Sequence, residues 1–230
     1  MLLCSVVLGL SAPALAEEPA ADRDLTPLPD DWFEDAVIIG DSVSVTLKKH
    51  CAKTGDLGNV LFLCEFSFGI RNAVSGNLKL WYQGKEYFPE EVIPLTGARK
   101  ILIMLGCNDI ALYGGIDRTM DCWAEFVTRV RATSPDVQFF IESCLPMWHE
   151  IHYENFDNDF VDAYNVRLKA FCEENGFVYV DIADAFKDEH NGLKAEYCSD
   201  AYVHITYPAA ALWVELLRDP ANYSEDPRSY

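Results

Sequence analysis

The stretch that most constrains the fold is Ala36-Val37-Ile38-Ile39-Gly40-Asp41-Ser42, an unbroken apolar run that ends on a glycine, an acid and a serine. A run with no polar alternation suits a strand covered on both faces, as the strands of a parallel sheet are. Gly40 breaks it. Val43, Leu47 and Cys51 then recur at helical spacing, which predicts a helix opening at Ser42. Such a strand-to-helix turn delivers the Ser42 hydroxyl to the C-terminal edge of the sheet, where open α/β proteins bind ligands. The free N–H groups and partial positive charge of a helix start would face any oxyanion formed there. Serine also caps helices routinely, so Gly-Asp-Ser alone does not define a site.

The same grammar repeats along the chain. Val60 to Cys64 reads as a second strand that exits through Glu65-Phe66-Ser67-Phe68-Gly69, and Lys100 to Leu105 as a third that exits through Gly106-Cys107-Asn108-Asp109. Between them, residues 78–88 read as a short hairpin turning at Gln83-Gly84-Lys85, and residues 89–96 as a short helix. A helix over about 118–133, a strand over 137–141, a helix over about 159–175, a strand over 177–181 and an apolar helix over 208–217 complete the series. Repeated β-then-α order implies right-handed crossovers, hence an α/β fold with a mainly parallel sheet and helices on both faces.

Composition bounds what such a domain can serve. Half of the residues are hydrophobic, enough for one well-filled core, and the net charge of −19 argues against nucleic acid or an anionic membrane as the main partner. Residues 1–16 are apolar and end in Ala14-Leu15-Ala16, the pattern of a secretory signal peptide, so a secreted or cell-surface protein is expected. Residues 17–31 read as a polar linker, 32–220 as the folded domain and 221–230 as a C-terminal tail, with no stable membrane insertion of the mature chain. Loss of a leader would remove Cys4 and leave seven of the eight cysteines, an odd number for a complete disulfide framework. Six of them (Cys51, Cys64, Cys107, Cys122, Cys144 and Cys172) lie in apolar patterns where cysteine acts as a small hydrophobe. No Cys-x-x-Cys is present and the five histidines form no metal-binding pair, so neither a metal nor a cofactor is expected.

Near the end of the chain, Asp200 and His204 occupy a polar segment just before the last helix. Nucleophilic catalysis by serine needs a base within hydrogen-bond reach and a group that orients the base. Gly40-Asp41-Ser42, Gly69, Gly106-x-Asn108-Asp109 and Asp200 with His204, in this order, resemble the four blocks of the GDSL/SGNH hydrolase superfamily over about residues 36–217. The resemblance implies a flavodoxin-like three-layer α/β/α sandwich and ester hydrolysis without a metal. It implies Ser42 as nucleophile, His204 as general base and Asp200 as its orienter. The oxyanion donors it implies are the N–H groups of Ser42 and Gly69 with the Asn108 amide; Ser67 stands close enough to Gly69 to compete for that place. In one respect the sequence departs from the family, which sets its aspartate three residues before the histidine, where Ala201 stands here. With export, the resemblance suggests a small-molecule or carbohydrate ester as substrate, first of all an acetylated carbohydrate. A lipid or small-acyl esterase and an inactive glycan-binding module of the same fold are the alternatives. Trp81, Trp148 and Tyr113 are available to stack on sugar rings, although Trp81 and Tyr113 are expected to fill the core instead.

Overall fold

The computed structural model describes residues 23–112, 114–153 and 156–230; the leader expected over 1–16, the first part of the linker and Tyr113 lie outside the described residues. Strand β1 (Ala36–Gly40) leads into α1 (Ser42–Thr54), and β2 (Leu61–Cys64) into the short α2 (Ile70–Ser75). A hairpin of β3 (Leu80–Tyr82) and β4 (Lys85–Tyr87) precedes α3 (Pro89–Thr96). Then come β5 (Lys100–Met104), α4 (Cys107–Ile110), α5 (Gly115–Thr133), β6 (Gln138–Glu142), α6 (Asn158–Asn175), β7 (Val178–Val180) and α7 (Tyr207–Arg218).

The main sheet has the order β2-β1-β5-β6-β7, and every pairing in it is parallel. Setting the hairpin aside, this is the flavodoxin-like order 2-1-3-4-5, with its switch point between β1 and β5. The fold is the expected three-layer α/β/α sandwich. Gly40 pairs with Met104 at the ends of those two strands, so the loops carrying Ser42 and Asn108 leave the sheet side by side.

Both faces of the sheet are buried, which is why its strands show no polar alternation. Val37 and Ile39 face a core shared with Trp123, Phe126 and Tyr164, whereas Ala36 and Ile38 face a second core with Leu47, Trp213 and Leu217. All of these side chains are almost fully buried, and each large one contributes about 1.5–3 kcal/mol relative to exposure. The two cores fix the sheet from opposite sides, and the loops at its C-terminal edge inherit that rigidity. Among the described residues no helix is long and apolar enough to cross a membrane.

Three expectations change. The domain does not end at 220: Tyr223 is buried and bridges Val180, its hydroxyl donates to Leu217 O at 2.6 Å, and Ser224 N donates to Tyr179 O at 2.8 Å. Nor does it begin at 32, since Leu28, assigned to the linker, is buried and its N–H donates to Arg218 O at 2.7 Å. Trp81 is not a core residue; it stands opposite Glu86 on the hairpin and is 56% exposed, because strands of three residues leave one face of so small a ribbon in solvent. The seven described cysteines are free thiols, five of them buried.

Candidate active site

Asp41 follows β1 and caps α1: its Oδ1 accepts the Val43 N–H at 2.9 Å, and extended backbone at Asp41 turns the chain from strand to helix. Ser42 is therefore the first helical residue, half-buried, with an N–H that has no partner within the helix. Its Oγ lies 3.0 Å from His204 Nε2. The other ring nitrogen, Nδ1, is 2.5 Å from Asp200 Oδ2. An ionised Asp200 can only accept, so the ring proton belongs on Nδ1, and Nε2 is left to accept the Ser42 hydroxyl.

The loop that carries the histidine is tied on both sides. Cys198 and Ile205 bridge as an antiparallel pair, Ser199 donates both N–H and hydroxyl to His204 O, and Trp148 N–H donates to Tyr202 O at 2.7 Å. Asp200 Oδ1 accepts the Tyr202 and His204 N–H groups at 2.9 and 3.1 Å. Ala201 takes φ +53°, a left-handed turn that absorbs the extra residue between Asp200 and His204. Burial pushes the Asp200 carboxyl up, but the His204 ring and these two N–H groups outweigh it and hold the group below the usual carboxylate range.

Asn108 enters from the end of β5. Gly106 makes that possible: its φ is +138° and a Cβ there would lie 2.3 Å from the Tyr164 ring. Asn108 Nδ2 donates to Asp41 Oδ2 at 3.0 Å and to Phe68 O at 3.2 Å, linking the serine turn to the loop after β2. Gly69 follows Phe68 and caps α2. A Cβ on it would stand 2.5 Å from both Asp109 carboxylate oxygens, which accept the Ile70 and Arg71 N–H groups at 2.9 and 3.0 Å. The Gly69 N–H itself donates to Asn72 Oδ1 at 2.9 Å. Ser67, also at positive φ, is exposed.

Burial dominates the electrostatics of Asp41 and raises its carboxyl to about 6 despite the helix N–H groups it accepts. Asp109 is pushed up by the same cause. Among the described residues no group of three or more His, Cys, Asp or Glu side chains converges as metal ligands would.

Residues 39–211 match the GDSL-like lipase/acylhydrolase family. The chain belongs to that family. This GDSL-family chain has no match among curated proteins by sequence. Solved structures are similar to it in fold. A GDSL-like lipase from Bacteroides thetaiotaomicron gives a TM-score of 0.61 at 16% identity, covering 82% of this chain and 88% of the other. A carbohydrate esterase family 3 protein from Talaromyces cellulolyticus gives 0.57 at 12%, covering 79% and 93%. The catalytic domain of a Streptococcus pneumoniae peptidoglycan O-acetyltransferase gives 0.54 at 16%, covering 79% and 89%.

Structure thus brings Ser42, Asp200 and His204 into one hydrogen-bonded line, with Asn108 held beside the serine turn and Gly69 one residue beyond Asn108's acceptor Phe68. Three participants escaped the sequence reading. Asp41 and Asp109 each stand beside a residue that was singled out, and a cap position before a helix is the signal that could have found Asp41. Asn72 carries no signal of its own.

Proposed function

We propose that this GDSL-family ester hydrolase is a metal-independent serine esterase in which Ser42 is the nucleophile, His204 the general base and Asp200 its orienter. The observation that carries the reading is the continuous contact from Ser42 Oγ through the imidazole to the Asp200 carboxylate. In the first step His204 Nε2 takes the Ser42 proton as Oγ attacks the ester carbonyl, and the imidazolium formed is stabilised by Asp200. The tetrahedral oxyanion is held by the N–H groups of Ser42 and Gly69 and by the Asn108 amide, which turns one N–H to it from Phe68 O and keeps the other on Asp41. His204 then protonates the leaving alcohol. Water, deprotonated by the same histidine, attacks the acyl-serine and releases the acid.

For substrate we favour an acylated carbohydrate met outside the cell, an acetyl ester first. Supporting this are the carbohydrate esterase and peptidoglycan O-acetyltransferase among proteins of similar fold, the exposed Trp81 and the half-buried Trp148, and the leader pattern of residues 1–16. Turnover of p-nitrophenyl acetate, its loss in Ser42→Ala with an unchanged melting temperature, and labelling of Ser42 by an organophosphate would test the mechanism. Retained activity in Ser42→Ala would end it. Release of acetate from an acetylated oligosaccharide, compared with longer-chain lipid esters, tests the substrate.

A further inference from the structure

The donor that the proposed mechanism needs from Gly69 is already occupied. Asn72 Oδ1 stands 2.9 Å from Gly69 N, within the span of about 2.7–3.1 Å at which an oxyanion would have to stand. One N–H cannot point in line at two acceptors. We propose that Asn72 is a positioning residue that holds the Gly69 N–H in the resting enzyme and must release it for the oxyanion, so that it sets the rate at which the site reaches its transition state. The inference rests on the serine esterase reading and adds a brake to it.

Three features make the contact a displaceable one. Asn72 is the third residue of α2, in its first turn, reaching back to the residue that caps it, and among the described residues its side chain makes this one hydrogen bond. Asn72 is only half-buried, so it is partly in contact with solvent. The peptide it touches is anchored independently: Asp109 accepts the first N–H groups of α2, those of Ile70 and Arg71. Gly69 can therefore lose Asn72 without losing its place. An arriving oxyanion carries charge that a neutral amide oxygen lacks, and a charge-assisted bond is the stronger of the two. The resting bond keeps a buried N–H satisfied until then.

A simple helix cap and a brake predict different results from two variants. Asn72→Ala removes the competing acceptor and the cap together, so the melting temperature should fall while kcat/KM for p-nitrophenyl acetate rises about two- to tenfold, the worth of one neutral hydrogen bond. Asn72→Asp puts a carboxylate on the same N–H at a helix start, so the melting temperature should rise while kcat/KM falls. Stability and activity are expected to move in opposite directions in both. A cap alone would leave kcat/KM unchanged or lower it in Asn72→Ala, and that result, with a wild-type protein that turns over ester and is labelled at Ser42, would overturn the brake alone. A wild-type protein with neither turnover nor labelling would overturn the esterase reading and this inference with it.

Discussion

Asp200 divides its two carboxylate oxygens between its own loop and His204: Oδ1 takes the Tyr202 and His204 N–H groups, and Oδ2 takes the imidazole Nδ1 at 2.5 Å. The orientation of the ring is thus fixed by a group that is itself fixed. Asp200→Asn should fold normally, because an amide oxygen can still accept from the loop. It should lower kcat by about 10³–10⁴, since the amide favours the wrong imidazole tautomer and cannot stabilise the imidazolium. Thermal melting and steady-state turnover of the purified variant decide it, and near-normal turnover would reduce the site to a Ser42–His204 pair.

Ala201 gives a second test of the same loop. Its φ of +53° is tolerated by alanine and strained for a β-branched residue. Ala201→Val should cost about 1–3 kcal/mol and depress turnover by tilting His204, whereas Ala201→Gly should keep both near wild type. Chemical denaturation and kcat measured side by side separate the two substitutions.

Asp41 holds both the start of α1 and the Asn108 amide. Asp41→Asn retains an oxygen for the Val43 N–H, but its amide nitrogen then faces the Asn108 amide, donor against donor. The helix cap survives and the tie to Asn108 does not. A drop in kcat of about 10²–10³ is expected, the size seen when an oxyanion donor is lost, with α1 still formed by circular dichroism.

Gly69 tolerates no side chain. Gly69→Ala would bring a Cβ to 2.5 Å from the Asp109 carboxylate and force it off the Ile70 and Arg71 N–H groups. Leaving those buried partners unpaired should cost about 1–3 kcal/mol, read as a lower midpoint in urea, with kcat/KM falling in parallel.

Glu142 sets a dependence of stability on pH. It is fully buried, accepts the Trp213 indole N–H at 2.7 Å, and burial raises its carboxyl from 4.5 to about 7. The folded protein therefore holds this proton more tightly than the unfolded chain does. Its contribution to stability is complete below pH 4.5 and is lost as pH rises through about 7, a change on the order of 3 kcal/mol. Asp41, raised to about 6, acts in the same direction. Glu142→Gln should lessen the fall in melting temperature between pH 5 and 8 and leave the part due to Asp41; an unaltered slope would show that Glu142 is not its source.

The strands were legible because burial on both faces writes an unbroken apolar run, and Ser42, Asp200 and His204 were legible because the blocks around them keep a fixed order. What stayed hidden is polar and long-range. Asn108 to Asp41, Asp109 to the start of α2, and Asn72 to Gly69 join loop residues that carry no periodicity. The short helices α2 and α4 escaped for a related reason, since neither is long enough to repeat an apolar face. The C-terminal residues look like a solvated tail by composition, yet the buried Tyr223 and the backbone of Ser224 bind them to β7.

Ser42 and His204 are separated by 162 positions, one at the start of the first helix and the other just before the last. Packing of α7 against α1 and the shared core behind them is what brings the two together. During synthesis Ser42 leaves the ribosome early, and almost the whole chain must follow before His204 can stand beside it. Chemistry that needs both groups therefore begins only when folding is nearly finished, and a chain cut short before α7 keeps His204 but loses the packing on α1 that sets it beside Ser42.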